Sequence, residues 1–146
     1  MKIRIVAAGK VRPPFLRAAV DDYLSRLRHY LPVEEVEVRP GPAAKTAQSM
    51  LRAVPPQHEV WVLDGGGQQP TSDELARLIA GRMDRGTKGI AVLIGASDGL
   101  PVEALRAADL VLGLSRLTMP HRLARLVLVE QLYRAMTIIK GEPYDK

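Results

Sequence analysis

The sequence of 146 residues contains no cysteine. This absence excludes disulfide bonds, a thiolate metal site and a cysteine nucleophile. The sequence also has no apolar run near the roughly 18 residues that a membrane span requires. Residues 1–10 carry lysine and arginine inside their apolar stretch, unlike the apolar centre of a signal peptide. We therefore expect a soluble protein of the cytoplasm.

Two nucleotide-binding fingerprints are absent as well. The sequence contains neither the G-x-G-x-x-G pattern of dinucleotide sites nor the G-x-x-x-x-G-K-S/T pattern of nucleoside-triphosphate sites. His29 and His58 stand alone, without the spacing of metal ligands, so the sequence predicts no metal site.

Aromatic residues make up only 4% of the chain, although 47% of it is hydrophobic. Leucine and valine recur in short runs between amphipathic stretches, which favours a layered α/β core. The length predicts one domain over residues 1–146. The formal net charge of +5 fits a polyanionic partner such as RNA, and it fits a merely soluble basic domain equally well.

The periodicity of apolar residues predicts five strands, each followed by a helix. The strands are predicted at residues 2–9, 33–39, 60–63, 90–94 and 110–117, and the helices at residues 13–31, 46–54, 71–83, 101–108 and 121–139. Such alternation predicts a mostly parallel sheet of five or six strands with helices on both faces. The continuously apolar strands 60–63 and 90–94 are expected at its centre, and strand 33–39, which alternates acids with valine, towards an edge.

Three loops follow predicted strands at the end of the sheet where α/β proteins bind ligands. Residues 64–68 (DGGGQ) and 95–99 (GASDG) are rich in glycine, and residues 115–120 precede the last helix. Glycine lets a ligand approach the backbone closely, but each loop alone is equally typical of a flexible turn.

Considered together, the segments KIRIVAAGK, DDYLSRL, VLDGGGQ, LIGASDGL, LSRLTMPHRLARLVLVEQLYRA and GEPYDK resemble the RlmH family of the SPOUT superfamily. The resemblance covers the whole chain. It implies an α/β fold with a C-terminal deep trefoil knot and S-adenosylmethionine as cofactor. It also implies methylation at N3 of a pseudouridine in 23S rRNA of the assembled ribosome.

By match to the family motifs, eight residues are implied to hold the cofactor: Leu63, Gly95, Leu114, Ser115, Arg116, Leu117, Thr118 and Met119. Their backbone would meet the edge of adenine while the apolar side chains cover its faces. Without the resemblance, the apolar members would be interpreted as ordinary core. One departure falls nearby, since Ala96 stands where the family often has a second glycine.

The candidate catalytic residues are Arg134, Tyr144 and Asp145. Family members commonly end in a Tyr-His pair, whereas this chain has Tyr144 followed by Asp145. Asp145 could replace the histidine as general base if burial raised its pKa, or it could be a solvated tail residue. Positioning by Tyr144 with electrostatic help from Arg134 is an equal alternative. Arg134 could also simply pair with Glu130 one helical turn away.

His121 follows a proline at a helix start, and we interpret it as closing the helix or packing inside the protein. The helix 121–139 carries apolar residues on nearly every face, which predicts that one side packs on the sheet and another on a second subunit of a homodimer. Candidate RNA phosphate contacts are Lys10, Arg12, Arg17, Arg26 and Arg28. The alternatives to the family activity are a SPOUT tRNA methyltransferase and a noncatalytic basic protein that binds the ribosome or RNA.

Overall fold

The computed structural model of the protein describes residues 1–144. Strands and helices alternate along the whole of this range. In chain order they are β1 (Lys2–Ala8), α1 (Pro14–Leu27), β2 (Val33–Val38), α2 (Ala43–Arg52), β3 (His58–Gln68), α3 (Ser72–Asp84), β4 (Gly89–Ile94), α4 (Val102–Arg106), β5 (Leu110–Leu112) and α5 (His121–Lys140).

The strands form a five-stranded sheet in the order β2-β1-β4-β3-β5, and every pairing is parallel. Strand β2 lies at an edge, as its alternation of acids and valine predicts. Strand β4 is buried along its whole length and occupies the centre, with β1 and β3 on either side. The α/β class and the parallel sheet are therefore confirmed.

Helices cover both faces of the sheet because successive side chains of each strand point to opposite sides. Ile3, Ile5 and Trp61 face a core closed by α1, α3 and α5. Val6 and Val62 face a smaller core that is closed by α2 and α4. Helix α5 packs between α1 and α3, which fixes its start beside the carboxyl ends of the strands.

Local sequence signals set several helix ends. The hydroxyl of Thr71 accepts a hydrogen bond from the backbone N–H of Glu74 at 3.1 Å, and the carboxylate of Glu74 accepts from the N–H of Thr71, forming the predicted capping box at α3. Helix α5 ends at Gly141, whose φ of 68° lies in the left-handed region that glycine tolerates. Helix α1 ends at Leu27, short of the predicted Leu31, because the chain tightens into turns in which Tyr30 N–H donates to the carbonyl of Leu27.

Two predicted strand ends are wrong by more than one residue, and glycine explains the first. The segment 64–68, predicted as a loop, continues β3 through Gln68, with a register shift between Leu63 and Gln68. A β-carbon on Gly67 would lie 2.6 Å from the carbonyl oxygen of Val111, so the missing side chain allows this backbone to approach β5. Strand β5 in turn ends at Leu112 rather than residue 117, because the chain beyond Gly113, whose N–H donates to the carbonyl of Gln68, makes no further strand pairing.

Candidate cofactor cleft and C-terminal cluster

A cleft of about 920 Å³ opens at the carboxyl ends of β4 and β5, beside residues 63–65 of β3. Its walls are formed by residues 63–65, 94–97, 99–100, 114–122 and 124. All eight residues implied to hold the cofactor lie on these walls. The fold thus brings three segments that are distant in sequence to one place, and their binding role stays a prediction.

The turn after β4 is shaped by two glycines. A β-carbon on Gly95 would lie 2.5 Å from the carbonyl oxygen of Gly99, so only glycine allows this backbone contact. Gly99 has a φ of 82°, and its N–H donates to the carbonyl of Ala96 at 2.8 Å. Ala96, the departure from the family pattern, is accommodated in this turn. The result is a compact wall made largely of backbone.

The loop between β5 and α5 exposes an apolar side chain to the cleft. The hydroxyl of Ser115 accepts a hydrogen bond from the backbone N–H of Leu117 at 2.9 Å, which closes a short turn. Leu117 is 78% exposed, whereas Leu63 and Leu114 also pack against the core. The core interpretation therefore fits Leu63 and Leu114 in part, but it does not fit Leu117.

His121 begins α5 and lies on the cleft wall. Burial lowers the pKa of its imidazole, and the positive charges of Arg122 and Arg125 lower that pKa further. The ring is therefore neutral at neutral pH. The position of His121 at the start of α5 agrees with the sequence, and its role in closing the helix or in packing stays a prediction.

Arg125 anchors the start of α5, although the sequence did not single it out. Its side chain is 1% exposed and donates to the carboxylates of Glu35 at 3.0 Å and Glu37 at 2.6 Å and to the carbonyl of Gly9 at 2.9 Å. The sequence signal that could have identified Arg125 is an arginine on the apolar face of a helix, together with closely spaced acids on an edge strand. This network ties the cleft-forming end of α5 to β1 and β2.

Arg134 and Tyr144 meet in a second place. The guanidinium of Arg134 donates to Glu130 at 2.6 Å and lies 4.5 Å from the ring centre of Tyr144. The hydroxyl of Tyr144 lies 3.1 Å from that of Tyr23 and 3.3 Å from Glu130. The ion pair between Glu130 and Arg134 is thus present, and the tail is folded onto it. Asp145 lies outside the described residues.

The pKa of Tyr144 is raised above its ordinary value. Burial is the main cause, followed by the hydrogen bond with Tyr23 and the negative charge of Glu130. The phenol therefore stays protonated near neutral pH and acts as a hydrogen-bond donor, which makes it unsuitable as a general base. The positioning role of Tyr144 stays a prediction.

The cluster around Tyr144 does not line the cleft of the same chain. The cleft wall reaches Ala124 on α5, and Arg134 lies ten residues further along the helix. At 1.5 Å per residue this separation is about 15 Å. Within residues 1–144, the implied cofactor residues and the candidate catalytic residues therefore form two separate groups.

Three of the five candidate phosphate contacts are already engaged within the chain. Arg17 pairs with Asp21 at 2.7 Å and Glu35 at 2.6 Å. Arg26 pairs with Asp22, and Arg28 donates to the carbonyl of Val33. Lys10 and Arg12 are exposed.

Within residues 1–144, no group of three or more acidic, histidine or cysteine side chains is placed to hold a metal ion. No helix in that range combines the length and apolar character that a membrane crossing needs.

Known proteins resemble this chain over its full length. A family model described as "Predicted SPOUT methyltransferase" matches residues 1–145. A protein of Anaeromyxobacter dehalogenans (strain 2CP-C) named "Ribosomal RNA large subunit methyltransferase H" is 47% identical, with 100% of both chains covered. A protein of the same name from Sorangium cellulosum is 45% identical, with 99% of both chains covered.

The fold also matches a solved structure. The crystal structure of a probable methyltransferase from Bordetella pertussis superimposes with a TM-score of 0.61 at 16% identity, covering 92% of this chain and 95% of the other. At this identity the likeness shows the fold alone. The match over residues 1–145 and the full-length relatives establish that the chain belongs to the SPOUT methyltransferase family.

Proposed function

We propose that this protein uses S-adenosylmethionine to methylate N3 of a pseudouridine in 23S rRNA of the assembled ribosome, in the cytoplasm and as a homodimer. The full-length relatives named as large-subunit rRNA methyltransferases support the RNA class. The observation that carries the proposal is the cleft, since all eight residues implied to hold the cofactor line it. Residues 1–146 would form a single SPOUT domain.

The cleft suits the cofactor in size and character. Its volume of about 920 Å³ lies within the range of roughly 300–1,000 Å³ typical of small-molecule sites. Backbone groups of 95–100 and 114–119 would meet the polar edge of adenine, while Leu117 and Met119 would cover its faces. A leucine that is 78% exposed inside a cleft gains from such apolar cover.

When bound, the cofactor supplies a methyl group on a sulfonium, which is an electrophile. The acceptor N3 of pseudouridine carries an imide proton, so the protein must position the nitrogen and ease loss of that proton. Tyr144 would position the base, and Arg134 would support it electrostatically. Asp145 is the proposed proton acceptor in place of the family histidine.

A homodimer would bring the candidate cofactor residues of one chain close to the candidate catalytic residues of the other. Arg134 lies about 15 Å along α5 from the cleft, with Tyr144 beside it, so the pair would reach a methyl group most directly in the cleft of a second subunit. Helix α5 supplies apolar surface for such a contact, since Leu123 is 40% and Ile138 39% exposed. Phe15 at the start of α1 is 74% exposed and would add to that surface. Each complete site would then use both chains.

We further propose that the chain forms the C-terminal knot implied by the family resemblance. Close backbone packing between β3 and β5 supports it. A β-carbon on Gly113 would lie 3.3 Å from the carbonyl oxygens of Asp64 and Gly67. Glycine at position 113 would let the chain after β5 pass tightly beside residues 64–67 of β3.

One observation favours the noncatalytic alternative. Asp145 stands where a terminal histidine is expected, so the chain could bind ribosomes without catalysing methyl transfer. Two measurements separate these functions: calorimetry with S-adenosylmethionine, and incorporation of labelled methyl groups into intact ribosomes and into free 23S rRNA. We expect micromolar cofactor binding and incorporation of labelled methyl groups into ribosomes at one pseudouridine. Cofactor binding without incorporation would favour the noncatalytic alternative, and absence of cofactor binding would contradict both the cleft assignment and the enzyme.

A further inference from the structure

The tyrosines of this chain are concentrated in one place. The chain has four tyrosines and only two other aromatic residues, Trp61 and Phe15. Tyr133 is central: its ring centre lies 6.0 Å from those of Tyr23 and Tyr30 and 4.9 Å from that of Tyr144. The cluster joins the end of α1, the middle of α5 and the C-terminal tail.

The tail reaches this cluster by a fixed route. Gly141 reverses the chain at the end of α5, and the N–H of Glu142 donates to the carbonyl of Thr137 at 2.9 Å. The hydroxyl of Tyr30 then donates to the carboxylate of Glu142. Pro143 restricts both its own backbone and that of Glu142, so little freedom remains before Tyr144.

The Tyr30 hydroxyl is a stable donor to the tail. Its hydrogen bond to Glu142 raises the pKa of Tyr30 to about 12, with burial and the charge of Glu142 as further causes. The phenol therefore remains protonated throughout the neutral range. Because the carboxylate is the acceptor, the bond is charge-assisted and stronger than one between neutral groups.

The hydrogen bond between Tyr30 and Glu142 lies outside the cofactor cleft, and the ring of Tyr30 packs against the edge of the main core. Glu142 is exposed, and neither Tyr30 nor Glu142 lines the cleft. An exposed polar contact contributes little to global stability. Its main effect is local, because it fixes the backbone two residues before Tyr144.

We propose that Tyr30, Tyr133 and Glu142 form a tail anchor, a set of positioning residues that hold Tyr144 in place for methyl transfer. The inference rests on the proposed function. The anchor residues act through the tail and touch neither cofactor nor reacting atoms. The hydrogen bond sets where the tail begins, and the T-shaped contact between the rings of Tyr133 and Tyr144 sets where the Tyr144 side chain lies.

Breaking the tail anchor should lower turnover without weakening cofactor binding. Tyr30→Phe removes the donor but keeps the ring, and Glu142→Ala removes the acceptor. Each should lower kcat for ribosome methylation about tenfold, as expected when one positioning hydrogen bond is lost. The KM for S-adenosylmethionine and the Tm should stay unchanged. Glu142→Gln keeps an acceptor oxygen and should retain most activity, and the double variant should be no slower than either single one.

A matched control is Glu34→Gln, since the exposed carboxylate of Glu34 on β2 pairs with Arg4 on β1, away from the tail. It should leave kcat unchanged. Unchanged kcat in both Tyr30→Phe and Glu142→Ala would overturn the proposal. A lower Tm together with a loss of cofactor affinity by the same factor as the loss of kcat would also overturn it. That pattern indicates a merely structural contact.

A second measurement does not depend on activity. With 3-fluorotyrosine incorporated, the four tyrosines give four ¹⁹F resonances, and Tyr144→Phe assigns that of Tyr144. Glu142→Ala keeps all four tyrosines and should shift or broaden the Tyr144 resonance, whereas an unchanged resonance would overturn the anchor. If the wild-type protein methylates no ribosome, the proposed function fails, and this spectrum alone decides whether the tail is anchored.

Discussion

Gly95 and Gly99 are in backbone contact at the carboxyl end of β4, so closely that a β-carbon on Gly95 would lie 2.5 Å from the Gly99 carbonyl oxygen. This contact shapes one wall of the cleft without using a side chain. The opposite wall comes from the loop 114–120. A change at Gly95 should therefore alter cofactor binding before it alters the fold.

Replacing Gly95 with alanine should weaken S-adenosylmethionine binding at least about tenfold, since the turn must shift to relieve the overlap, at a cost of about 1–3 kcal/mol. Isothermal titration calorimetry would measure the change in Kd. The matched control is Gly81→Ala in α3, where a β-carbon meets no atom within 4 Å. Equal cofactor affinity in the Gly95 variant and the wild type would contradict this assignment.

Leu117→Ala should weaken cofactor binding without destabilising the protein. The side chain is 78% exposed, so its removal leaves no cavity in the folded chain. The bound cofactor would lose apolar cover of about 1–2 kcal/mol, which corresponds to a roughly 5- to 30-fold higher Kd. Val102→Ala, at a residue 51% exposed on α4 and outside the cleft, should change neither Kd nor Tm. A lower Tm with unchanged Kd would place Leu117 outside the cofactor site.

Arg125→Met should destabilise the fold strongly. Its guanidinium is buried against Glu35 and Glu37, and its loss leaves their carboxylates and the Gly9 carbonyl with fewer donors. Breaking a buried pair on one side costs about 3–5 kcal/mol, although Arg17 remains beside both acids and reduces that cost. Urea denaturation would measure it. Arg85→Met, which removes an exposed partner of Glu59, should cost less than about 1 kcal/mol.

His121 should make the protein less stable as the pH falls. Its pKa is lowered in the folded state, so between the folded and unfolded pKa values the unfolded state binds more protons. The contribution of His121 to the free energy of unfolding is therefore fully present above the unfolded-state pKa of about 6.5. It decreases as the pH falls from there to the folded-state pKa. His121→Gln should flatten this part of the stability profile between pH 7.5 and 5. Parallel profiles for the two proteins, measured by denaturation at each pH, would contradict the lowered pKa.

Much of the fold follows from short-range patterns. The continuously apolar run at 90–94 is the buried central strand, and the alternating segment at 33–38 is an edge strand, because burial on one or both faces determines each pattern. Thr71 and Glu74 mark a helix start through a contact that spans only three residues. Such features depend on neighbours in sequence, so the sequence predicts them.

Long-range contacts limit what the sequence predicts. Gly67 allows β3 to continue beside Val111, yet in isolation the same glycines indicate a loop. The burial of Arg125 depends on acids about ninety residues away. The resemblance identified eight residues that line one cleft, but it could not show that Arg134 and Tyr144 lie apart from them in the same chain.

The most direct test of the two-subunit site uses mixed dimers. Leu117→Glu should disable the cleft of one chain, and Arg134→Ala should disable the catalytic cluster of the other. Each homodimer should be inactive in methyl incorporation into ribosomes. If one subunit acts on the cofactor of the other, the purified mixed dimer keeps one intact site and should show about half the wild-type activity. An inactive mixed dimer that still binds cofactor in its unaltered cleft would contradict the account.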